Sequence, residues 1–119
     1  MISVNVSFMG SDIEKLIVSG HANYDLYGKD IVCAGVSAII TGGINAIECE
    51  YKNVEIINKK NELGIHVISN NERIQIILTT LLIQLQTVEK SYEKYIKIKE
   101  NKRGGVWNVL KIKFTILRI

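Results

Sequence analysis

Along the first eight residues apolar and polar side chains alternate, with Ile2, Val4, Val6 and Phe8 on one face and Ser3, Asn5 and Ser7 on the other. This two-residue period predicts a half-buried strand over Met1–Phe8. Gly10-Ser11-Asp12 supplies turn residues and Ile13–Ser19 reads as a second strand, so the two form a hairpin. Gly20–Lys29 is a polar loop. From Asp30 the period changes: IVCAGVSAIITGGINAIE has helical apolar density, and Asp30 is placed to cap its first free amides. The helix is expected to end near Cys49. Gly42-Gly43 weakens its middle by roughly 1 kcal/mol per glycine, which implies that something packs closely there.

A second hairpin is predicted from Val54–Ile57 and Leu63–Ile68 around Asn58-Lys59-Lys60-Asn61. Asn70 or Asn71 caps a second long helix, in which Ile74, Ile77, Leu78, Leu81, Leu85 and Val88 recur mostly three and four apart. Tyr95–Lys99 alternates as a fifth strand. After Gly104-Gly105, Leu110, Ile112, Phe114 and Ile116 alternate with Lys111, Lys113 and Thr115, a pattern open to a sixth strand, an edge-pairing arm or an extension. The order ββαββαβ predicts an α/β two-layer sandwich, a mixed sheet of five to six strands with two long helices on one face. Residues 1–100 form one domain, and 101–119 a basic C-terminal extension.

Charge sharpens that division. The 119 residues carry a net +3, yet from residue 97 onward Lys97, Lys99, Lys102, Arg103, Lys111, Lys113 and Arg118 face Glu100 alone. The body is therefore acidic, which argues against a nucleic-acid-binding core and leaves the tail as the segment with charge to contact phosphates. An acidic body suits a basic peptide instead. The apolar runs Ile31–Ile40 and Ile76–Ile83 are interrupted well short of the roughly 20 residues that span a bilayer, and MISVNVSF lacks the features of a signal peptide. The expectation is a cytoplasmic protein without a membrane partner. Its two cysteines, Cys33 and Cys49, fit neither a disulfide framework nor a zinc site, and no phosphate loop or metal constellation is visible. The chemistry is expected to need no cofactor.

With Asp30 as cap, Cys33 falls in the first helical turn, where unpaired amides and the helix dipole favour a thiolate and offer an oxyanion hole. Ser37 lies four residues on, along the same face. His21 precedes Cys33 by twelve positions at a strand end, within range to act as its base. Asp25 and Asp30 are both candidates to orient the imidazole, and Tyr24 and Tyr27 either cover the loop or contact a peptide. Cys49 points about 160° away from Cys33 around a continuous helix, and His66 reads as a solvated strand residue.

GHA, then Gly28, then DIVCAGVSA within residues 20–38 resembles the signature of the ribosomal-processing cysteine protease (Prp) family. The histidine, the twelve-residue spacing, the D-x-x-C-x-x-x-S pattern and the late YIKIKE segment carry the likeness over roughly residues 1–100. The resemblance implies His21 as base, Cys33 as nucleophile, and Asp30 and Ser37 as supports. It also implies a homodimer, a mobile loop over the site at about Ala22–Lys29, and a site-specific endopeptidase that trims the N-terminal extension of a large-subunit ribosomal protein. The rival is a non-catalytic ribosome-assembly or RNA-associated module, motivated by the basic tail.

Overall fold

The alternation of the first segment becomes β1 (Ile2–Met9), in which Ile2, Val4, Val6 and Phe8 are buried while Ser3, Asn5 and Ser7 are half exposed. In the computed structural model, which describes residues 1–26 and 29–103, there follow β2 (Asp12–Ser19), α1 (Ile31–Ile47) with a 3-10 turn at Glu48–Glu50, β3 (Val54–Lys59), β4 (Glu62–Val67), α2 (Glu72–Ser91) and β5 (Ile96–Arg103). The sheet order is β3-β4-β2-β1-β5. Every pairing is antiparallel except that of β1 with β5.

This order makes β2-α1-β3 and β4-α2-β5 crossovers between parallel strands, running in opposite directions along oppositely oriented strands. Right-handed crossovers of that kind place both helices on the same face. The result is the predicted two-layer α/β sandwich. Val32, Val36, Ile40 and Ile47 of α1 and Ile74, Leu78, Leu82 and Leu85 of α2 close on the apolar face of the sheet in one core. Each fully buried aliphatic side chain there contributes about 1.5–3 kcal/mol.

The structure resolves choices that the pattern left open. Asn71 is the cap of α2, accepting from the Ile74 amide at 2.9 Å, because Asn70 is engaged by Asp12 and Gln75. The second hairpin turns at Lys60-Asn61, with Asn61 at φ 65°, so its strands reach further than the apolar residues alone suggest. β5 likewise continues past Lys99, since its backbone ladder with β1 persists where inward positions become polar, Val6 facing Glu100 and Phe8 facing Lys102. The sixth-strand reading of the tail lies outside the described residues. Residues 31–50 match a membrane span in length and composition, contrary to the sequence argument from interrupted runs, yet one stripe of this helix belongs to the core.

Of the two central glycines of α1, one carries the packing constraint. A Cβ at Gly43 would collide with the Leu81 side chain, whereas one at Gly42 would meet nothing within 4 Å. Gly43→Ala is therefore expected to destabilise the protein by about 1–3 kcal/mol. Gly42→Ala is expected to stabilise it by up to about 1 kcal/mol. Urea denaturation of the two variants measures the contrast.

Candidate active site

β2 gives way to Gly20, whose φ of 83° and closeness to Met1 leave no room for a side chain: a Cβ would sit 2.6 Å from the Met1 carbonyl oxygen. The glycine thus brings the chain out beneath the first residue and releases His21, exposed, at the strand end. Ala22 turns inward, 4 % exposed, and its N–H donates to Cys33 Sγ at 3.2 Å. Tyr24 N–H then donates to Asp30 Oδ2 at 2.9 Å.

Asp30 does cap α1. Its Oδ1 accepts from the Cys33 amide at 3.0 Å and its carbonyl from the Ala34 amide at 3.0 Å. Partial burial raises the Asp30 carboxyl, but hydrogen bonds from the Cys33 and Tyr24 amides, the Cys33 side chain and the Asp25 amide outweigh it. The net position is below the usual carboxylate value.

Two expectations change in consequence. The amide of Cys33 is spent on Asp30, so the first-turn N–H groups left for an oxyanion are those of Ile31 and Val32, which a helix cannot satisfy internally. Among the described residues no hydrogen bond joins either candidate carboxylate to the imidazole: Asp30 holds the helix start and Tyr24, while Asp25 Oδ1 accepts from the Leu26 amide at 2.7 Å.

His21, Cys33 and Ser37 line one cavity of about 360 Å3, floored by Ile2, Val18, Val36 and Ile40. Its far wall is the β3–β4 turn, with Asn58, Lys59, Asn61 and Glu62. Sequence reasoning missed this wall, because nothing local places a hairpin turn opposite a helix start 25 or more residues earlier. It also missed the Ala22 amide, which any residue type would supply. Gly20 had a signal in its position at a strand end before the histidine. Tyr24 lies outside the cavity lining, its ring edge-on to Tyr92 and Tyr95 at centroid distances of 5.7 and 5.0 Å. Tyr27 and Gly28 fall outside the described residues. Cys49 is exposed beyond α1, its Sγ directed to the Ala46 carbonyl at 3.4 Å, and His66 is half exposed on the open sheet face between Lys15 and Glu55.

A half-buried sulfur in a first helical turn, receiving one N–H and sharing a cleft with an imidazole, has the parts required for acyl transfer through a thioester, and the class so defined is that of cysteine peptidases. The chain belongs to the family described as cysteine protease Prp, whose model matches residues 1–97. It is 38 % identical over 103 residues to the ribosomal processing cysteine protease Prp of Staphylococcus aureus, covering 82 % of this chain and 97 % of that protein. The protein of the same description from Mycoplasma genitalium is 30 % identical over 102 residues, covering 84 % and 96 %. The crystal structure of the essential S. aureus protease with a covalently linked product peptide superposes with a TM-score of 0.73 at 33 % identity, over 87 % of this chain and all of that one. These likenesses favour the peptidase over the RNA-associated module.

The Asp30 clamp has a defined pH signature. A carboxyl held low in the folded state lends stability that is complete above its unfolded value and is lost as pH falls through the folded value. Asp30→Asn keeps a capping side chain but removes that dependence. The melting temperatures of wild type and Asp30→Asn are expected to differ at neutral pH, wild type higher, and to converge as pH drops below the ordinary carboxylate range. Thermal melts across that range test this.

Proposed function

We propose that the protein removes the N-terminal extension of a large-subunit ribosomal protein by hydrolysis of one peptide bond, with Cys33 as nucleophile and His21 as general base. The observation that carries this reading is that His21 and Cys33 line one cleft, with the Ala22 N–H on the sulfur. His21 accepts the thiol proton as the sulfur attacks the scissile carbonyl. The carbonyl electrons move onto oxygen, for which the first-turn amides of α1 are the candidate donors. Collapse breaks the C–N bond, and His21 returns the proton to the departing amine. Water, deprotonated by His21, then hydrolyses the thioester and restores the thiol. Asp30 supports the site by holding the turn that carries Cys33, and Ser37 borders the cleft one turn along.

The relatives are described as ribosomal processing proteases, and the solved neighbour holds a peptide, which supports a ribosomal protein precursor as substrate. The acidic body suits a basic extension. This reading places the protein in the cytoplasm, where such precursors are made, and gives nucleic acid no role in the reaction. Phosphate contact would fall to the basic segment from Lys97.

Incubating the purified protein with a ribosomal protein bearing its extension, and following the mass of the product, is the direct test. Cys33→Ala is expected to lower kcat/KM by about 10^4-fold or more, and His21→Ala by about 10^2- to 10^4-fold. Cleavage undiminished in Cys33→Ala removes Cys33 from the mechanism.

The proposal includes a homodimer. Its support is the outer groove between α1 and α2, about 480 Å3, lined by Ala38, Ile39, Gly42, Ile76, Ile77 and Leu81, with Ile76 60 % exposed. No charged residue interrupts α1 from Ile31 to Ile47, so a second copy meets no unpaired charge there. Sedimentation is expected to give twice the chain mass for wild type and the single chain mass for Ile76→Glu; a monomeric wild type overturns the dimer.

A further inference from the structure

Three consecutive residues after His21 adopt states that each need holding. Ala22 is buried, Asn23 lies in the left-handed region at φ 54°, and the Tyr24 ring meets Tyr92 and Tyr95 edge-on. A non-glycine residue at positive φ persists only where its surroundings fix it, and asparagine is among the side chains that tolerate it best. One side of this bend is fixed by Ala22 in the core. The other is fixed by Tyr24, and what Tyr24 rests on is tied into the fold by backbone hydrogen bonds. Tyr92 ends α2 with its amide on the Val88 carbonyl at 2.9 Å, the Tyr95 amide bonds the Tyr92 carbonyl at 2.9 Å, and the Tyr95 carbonyl accepts from the Ile2 amide at 2.8 Å. The α2–β5 junction is thereby tied to the start of β1. Immediately after Tyr24 this support ends, and Leu26 is 73 % exposed.

The two hydrogen bonds that flank the bend are those that serve the sulfur. Ala22 N–H reaches Cys33 Sγ, and Tyr24 N–H reaches the carboxylate that caps the turn carrying Cys33. Both donors are backbone groups, so their aim depends on the path of the chain and not on residue type. We propose that Tyr24 is a positioning residue for the nucleophile: its ring, seated against Tyr92 and Tyr95, holds residues 22–24 so that the Ala22 amide stays on Cys33. This rests on Cys33 as the nucleophile and assigns Tyr24 away from the peptide, in keeping with its place outside the cleft lining.

The test reads the sulfur directly. The full chain is alkylated with iodoacetamide near neutral pH and the two cysteines are resolved by peptide mass, the exposed Cys49 serving as internal standard. Tyr24→Ala is expected to slow Cys33 alkylation about five- to tenfold relative to Cys49, as expected for the loss of two edge-on ring contacts. Tyr24→Phe, which keeps both rings in contact, is expected to restore most of the rate. Peptide cleavage by Tyr24→Ala is expected to lose kcat with little change in KM. A Tyr24→Ala protein with unchanged relative alkylation overturns the proposal, as does one that raises KM alone, since that pattern belongs to a substrate contact. The alkylation result is independent of peptidase activity, so failure of Cys33→Ala to abolish cleavage would reject the enzymatic reading separately.

Discussion

One carboxylate organises the site. Asp30 places one oxygen on the amide of Cys33 and the other on the amide of Tyr24, so the same group starts α1 and fixes the strand-exit segment against it. Its charge has a chemical consequence as well. A helix N-terminus presents roughly half a positive charge, and a full negative charge on the capping side chain answers it. The helix dipole is therefore not free to support a second anion at the sulfur. What the fold gives the Cys33 sulfur is the hydrogen bond from the Ala22 amide, in a cleft that it shares with His21.

The sheet order explains why so many parts meet at one place. Ser19 at the end of β2 pairs with Ser3 near the start of β1 and with Glu62 at the start of β4; Ile96 at the start of β5 pairs with Ile2. The exit of β2, the turn between β3 and β4 and the α2–β5 junction therefore share one end of the sheet, and α1 begins there. Each element contributes something different to the cleft: a histidine, a wall, an anchor for the loop, a thiol. None of these four segments could form the site by itself, and the strand pairings that unite them are ordinary ladder hydrogen bonds.

How much of this was legible depended on whether the signal was local. β1 and α2 announce themselves through periods of two and of three to four because burial acts on every repeat of those periods. Asp30 was readable as a cap because capping reaches only three residues ahead. The choice between Asn70 and Asn71 was not, since both are competent caps and a bond from Asn70 to Asp12, 58 residues away, decides it. The same holds for Tyr24, whose ring partners lie 68 and 71 positions further on. For the imidazole the sequence offered Asp25 and Asp30 as partners, and the structure gives each a backbone amide instead. Spacing constrains which residues are near, while the hydrogen bond each one makes is set by the path of the loop.

The two cysteines show what makes a thiol competent. Cys49 is the more exposed and by access alone the better reagent. It sits past the end of α1, where the carbonyl of Ala46 is its partner, so its surroundings accept hydrogen bonds and present the negative end of a helix. Cys33 is half covered, its sulfur accepts from the amide of Ala22, and it shares a cleft with His21. One helix thus carries a thiol near each end, and the two differ in the hydrogen bond they make: the Cys33 sulfur accepts from a backbone amide, while that of Cys49 donates to a backbone carbonyl. The proposed function gives the chemistry to the sulfur embedded in the apolar run IVCAGV because that sulfur, and not the more exposed one, receives a backbone donor and lines the cleft.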